Sequence, residues 1–129
     1  MISAIRRWTR SGAVHVLFAF LAMGGWAVAA NSGHPMPLRL LAGVVQGTTS
    51  AVLTLFLKSV IDALAARLRR PVSLWAPPLI ACLGSASILV AAHSLNGTPA
   101  IPETVAVPLL VSSTYAASYN FSIYRARGR

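Results

Sequence analysis

The sequence predicts an all-α integral membrane protein: a four-transmembrane-helix bundle forming a single domain, with both termini on the cytoplasmic side. Three observations lead there. Of 129 residues, 56% are hydrophobic and only 10% charged, where a soluble domain carries roughly a quarter charged residues. With a mean hydropathy of +0.68, the chain has more apolar surface than a protein this small can bury in a core. Four windows, 13–30, 40–60, 77–95 and 102–121, approach the roughly 20 apolar residues that cross a bilayer. The charge is lopsided as well, 11 Lys and Arg against 2 acids for a net +9.

The first window, AVHVLFAFLAMGGWAVAA, follows Arg6, Arg7 and Arg10. Those arginines, the apolar run and Ala27-Val28-Ala29 ahead of Ala30 have the layout of a secretory signal peptide. The expectation is retention as a signal anchor, and the later spans keep the same orientation either way. Asn31 to Pro37 is dense in turn residues. The second window starts at Leu40, and its helical pattern continues through Ile61, Leu64 and Leu68 into Arg67, Arg69 and Arg70, where Pro71 stops it. Lys58 and Asp62 stand four apart on it, the spacing of an ion pair. The third window places Pro77 and Pro78 in its first turn, where a missing N–H costs nothing. Ser94 to Pro99 is the next turn. The fourth window contains Pro108, an expected kink that neighbouring helices satisfy. Connections this short make sequential helices antiparallel neighbours.

Orientation follows from the arginines. Arg6, Arg7 and Arg10 precede the first span, Arg67, Arg69 and Arg70 follow the second, and Arg125, Arg127 and Arg129 follow the fourth. All nine fall on one side of a four-span zigzag, and only Arg39 and Glu103 stand on the other. The positive-inside rule makes that basic side cytoplasmic, and a bacterial inner membrane is the expected location. The clusters hug helix ends, so the expected partners of these arginines are anionic lipid headgroups and not nucleic acid.

The composition also removes chemistry. Asp62 and Glu103 are the only carboxylates and Cys82 the only cysteine. Paired-carboxylate catalysis, acid-rich phosphoryl-transfer sites, an intrachain disulfide and cysteine zinc sites therefore have no basis in one chain. No Ser/His/Asp or Cys/His set shares a compartment, and no phosphate-binding glycine loop occurs. The expectation is a protein without enzymatic activity or cofactor.

Two polar faces remain. Gln46, Ser50, Thr54, Lys58 and Asp62 recur every fourth residue, thickened by Gly43, Gly47, Thr48 and Thr49. On the fourth span Ser112, Tyr115, Ser118, Tyr119 and Ser122 fall three and four apart, with Asn120 beside them. Such faces turn away from lipid, either as a hydrogen-bonded packing seam or as a polar path between the second and fourth helices. Small residues at Ala22, Gly25 and Ala29, and at Ala81, Gly84, Ser85, Ser87 and Ala91, mark further contact faces. His34 and His93 lie near Glu103 at the outer boundary, a weak candidate for a metal or proton site beside the plainer reading of exposed loop residues. Two functions are expected from this pattern. The first is an accessory or assembly subunit that packs on partner membrane helices or on itself. The alternative is a small oligomeric transporter, channel or lipid-handling protein.

Overall fold

The computed structural model describes residues 1–3 and 12–128, so the expectations resting on Arg6, Arg7, Arg10 and Arg129 fall outside the described residues. Among residues 12–128 four helices follow one another, α1 (Gly12–Ala30), α2 (Met36–Arg67), α3 (Val72–Leu95) and α4 (Ile101–Arg127), and the described residues contain no strand. Helices α1, α2 and α3 are long and apolar enough to cross a membrane, and three such helices point to a membrane protein. At 27 residues α4 matches them in length. Its serines, threonines, tyrosines and asparagine leave it less apolar than the other three.

The second helix is unbroken for 32 residues, about 48 Å at 1.5 Å per residue. It outruns a hydrocarbon core of about 30 Å, in line with the extension expected through Leu64. The third helix corrects its expected start, because it begins at Val72 and not at Pro77. Pro77 and Pro78 therefore lie inside it, and each removes the N–H that would reach back four residues. The carbonyls so freed belong to Ser73 and Leu74. Asn120 Nδ2 of α4 donates to both, at 3.0 and 2.9 Å. A side chain from the neighbouring helix thus replaces two missing backbone donors, and α3 extends a further turn.

Glycine sets the approach of α1 to α2. A Cβ on Gly24 would lie 2.8 Å from the carbonyl oxygen of Gly43, and one on Gly47 would lie 2.9 Å from that of Phe20. Phe20, Gly24 and Val28 carry this contact, whereas Gly25 faces open space and Ala29 is exposed. The expected small-residue face at Gly25 and Ala29 therefore does not make the contact within the chain and points outward. Toward the basic end Leu57, Ile61, Ala81 and Ala116 form the core, with Tyr119 and Ile123 packed against it.

At the opposite end, which carries the loops 31–35 and 96–100, α1 reaches α4. Trp26 Nε1 donates to the Glu103 carbonyl at 3.1 Å. The fully buried Asn31 donates to the Ala27 carbonyl and to Thr104 Oγ1, both at 2.8 Å, and its Oδ1 accepts from the Ala100 N–H at 3.0 Å. Every hydrogen-bonding group of this side chain is used, so the asparagine ties the start of α4 to the end of α1.

Candidate functional site

Away from that tie α1 and α4 part, and a cleft of about 580 Å³ opens between them. Its α1 wall includes His15, Phe18 and Met23, its α2 wall runs from Ser50 to Ser59, and α4 contributes Pro108, Val111, Ser112 and Tyr115. Leu89, fully buried, is the contribution of α3. Apolar side chains dominate the walls. The polar groups are the hydroxyls of Ser50, Thr54, Ser59, Ser112 and Tyr115, the His15 ring and, toward the basic end, the Lys58 ammonium. Among the described residues Thr54 and Tyr115 form no side-chain hydrogen bond, while the Tyr115 ring stacks on Tyr119 with centroids 5.7 Å apart.

The six residues of the candidate polar path are not brought into one site. Ser50, Thr54, Ser112 and Tyr115 line the cleft. Gln46, with 0% exposure, is sealed behind it in a network that crosses from α2 to α3. Gln46 Nε2 donates to Ser50 Oγ at 2.8 Å, and Gln46 Oε1 meets His93 Nε2 at 2.8 Å. A carbonyl oxygen only accepts, so Nε2 of His93 carries a proton. Its Nδ1 lies 2.7 Å from Thr98 Oγ1. In the neutral imidazole that nitrogen accepts from the hydroxyl. Tyr119, the sixth residue, turns to α2, where its hydroxyl donates to Asp62 Oδ1 at 2.6 Å. The expected pair is present on the other carboxylate oxygen, Lys58 Nζ to Asp62 Oδ2 at 3.0 Å, with the ammonium 5.3 Å from the Tyr119 ring centroid.

His34, His93 and Glu103, the residues of the metal candidate, are placed in different surroundings. Both ring nitrogens of His93 are engaged inside the bundle, whereas His34 and Glu103 are exposed. Among the described residues no group of three or more His, Cys, Asp or Glu side chains is placed to hold a metal ion. Burial corrects the plainer reading of His93, because it ranks among the largest fully buried side chains. The basic-end arginines among the described residues, Arg67, Arg69, Arg70, Arg125 and Arg127, are all exposed. Arg70 lies 3.6 Å over the Tyr124 ring, Arg125 lies 5.9 Å from the Phe121 ring, and Arg127 donates to the Ala65 carbonyl at 2.6 Å.

Polar spacing along single helices does not reveal Thr98, Asn31 or Thr104, which act between elements. Asn120 had a readable signal, since two adjacent prolines in a helix announce two carbonyls in need of a donor. No protein family, curated protein or solved structure matches this chain.

Proposed function

We propose that the chain crosses a bacterial inner membrane four times with both termini cytoplasmic, and that it is a non-enzymatic lipid-handling protein whose cleft takes the apolar part of a membrane lipid or similar amphiphile. The cleft carries this reading. Its volume lies within the roughly 300–1,000 Å³ typical of small-molecule sites. Apolar walls favour a hydrocarbon occupant over water, which needs two to four polar partners. Lys58 and Ser59 line the cleft toward its basic end and suit the polar part of such a molecule. The arginine bias supports the orientation, and the basic clusters suit contact with anionic headgroups. A continuous polar path for ions has less support, since Gln46 is sealed and Tyr119 is committed to Asp62.

The experiment is native mass spectrometry of protein purified in mild detergent. Wild type is expected to retain about one lipid-like molecule per chain. Ser112→Trp or Leu53→Trp, which fill the cleft, are expected to lower retention roughly tenfold, equivalent to about 1.4 kcal/mol of binding. Unchanged retention in both variants sinks the proposal.

A second reading, assembly with partner helices or a second copy, has its own support. A Cβ on Gly25 or Gly84 would meet nothing within 4 Å, and Ala29, Ser87 and Ala91 are exposed beside them. Small residues on outward faces allow close approach of another helix. Gly84→Leu separates the readings, because it is expected to weaken crosslinking between chains while leaving lipid retention intact.

A further inference from the structure

Beyond the Tyr119 to Asp62 bond, one turn further along both α2 and α4, a second and smaller pocket of about 80 Å³ opens at the basic end. It is lined by Ala65, Leu68, Arg70, Ser73, Ile123, Tyr124 and Arg127. A water needs about 10–15 Å³, so the space takes a group of several heavy atoms. We propose that it is a binding site for a phosphate group, held by the Arg70 and Arg127 guanidinium groups and the Ser73 hydroxyl.

Both arginines are positioned before any ligand arrives. Arg70 lies flat on Tyr124, and its Nη1 donates to the Tyr124 carbonyl at 3.0 Å. The chain at Gly128 passes so close that a Cβ there would stand 2.9 Å from Nη1 of Arg70. Arg127 is fastened to Ala65 through one N–H. A guanidinium has five N–H donors in a rigid fork matched to phosphate oxygens, and the bonds described engage one on each arginine. Neither forms an ion pair, since Lys58 with Asp62 is the only one among the described residues, and Asp62 acts on Arg127 only at longer range. Asp62 already serves Lys58 and Tyr119 through separate oxygens.

Ser73 supplies the independent observation. It is 8% exposed, it lines the pocket, and its hydroxyl makes no hydrogen bond among the described residues. Its oxygen is open to the pocket and is free to donate to a ligand oxygen. It also stands in the first turn of α3, where the helix dipole favours an anion, although its own N–H already donates to the Arg69 carbonyl at 3.0 Å. This site does not depend on the cleft having an occupant.

The test uses the purified chain in a phosphate-free neutral detergent, titrated calorimetrically with inorganic phosphate and, separately, with short-chain phosphatidylglycerol. Saturable binding of about one per chain is expected. Arg70→Ala and Arg127→Ala are each expected to weaken it about tenfold. Ser73→Ala, which leaves the fold intact, weakens it several-fold, and Arg70→Lys falls between Arg70→Ala and wild type because it keeps the charge and loses the fork. Arg125→Ala, outside the pocket, leaves the affinity for inorganic phosphate unchanged. Phosphate displacing the lipid marks a site for any phosphate, and lipid binding without phosphate binding marks a headgroup site. Absence of saturable binding by either probe overturns the proposal. So does an Arg125→Ala loss equal to that of Arg70→Ala, the signature of diffuse charge.

Discussion

The two ends of the molecule treat their polar residues in opposite ways. At the end bearing loops 31–35 and 96–100, Asn31, Gln46, His93, Thr98 and Thr104 are all at most 6% exposed, and each bonds to another of these side chains. In the other half α1 stands away from α4, and the charged pair has side-chain exposures of 60% and 42%. The difference teaches where this bundle is closed and where it is open. In an apolar setting an unmade hydrogen bond costs far more than a made one contributes. A fully paired polar network therefore permits one arrangement of helices, while apolar walls tolerate separation.

The contrast breaks most severely at the glycine contact that places α1. Gly24→Leu drives a side chain into the Gly43 backbone, which has no rotamer to change, and a cost near the upper range of overpacking, about 3 kcal/mol, is expected. Thermal unfolding in detergent followed by circular dichroism reads the loss. Lipid retention is expected to fall with it, since α1 forms one wall of the cleft.

The closed end is tested next. Gln46→Leu leaves His93 Nε2 buried without its acceptor, at about 2 kcal/mol. His93→Leu costs a similar amount by orphaning Gln46 Oε1. The double variant is expected to cost clearly less than the sum, because neither partner is left unpaired. Additive losses would mean that the two side chains do not act as a pair.

Asn120 sharpens the comparison, being a buried polar staple in the half that otherwise stays open. Asn120→Leu strands the Ser73 and Leu74 carbonyls, with an expected loss of about 2 kcal/mol. The loss is limited because Asn120 Oδ1 already lacks a partner. In a Pro77→Ala, Pro78→Ala background the helix recovers its own donors, and Asn120→Leu becomes nearly neutral. A loss of the same size in both backgrounds would contradict the role assigned to Asn120.

The smallest effect belongs to the exposed cluster. Tyr119→Phe removes one hydrogen bond to a carboxylate that keeps Lys58 and solvent, so a change below about 1 kcal/mol is expected. A large loss there would show that the basic half is held by its ions.

Much of this architecture is legible in the chain. The apolar windows and turn residues locate the helices, and the four-residue spacing of Lys58 and Asp62 yields the observed pair. The polar face of α2 is real but is divided among destinations. Gln46 goes to α3, Ser50 and Thr54 to the cleft, and Asp62 to Tyr119. Periodicity reports which side of a helix a residue occupies, and no more. Small-residue spacing does not tell which of Gly24 and Gly25 meets α2, because the two are equivalent in composition and differ only in what they meet.

The sequence by itself determined a helical, apolar chain with its arginines gathered at helix ends, since those properties depend on local composition and on transfer from water to an apolar medium. Only the tertiary structure decided that Asn120 would complete a proline-broken helix, that His93 would be buried, and that α1 and α4 would join at one end and part at the other. These outcomes depend on which distant groups come within about 3 Å, and hydrogen-bond distance is a property of the packed whole.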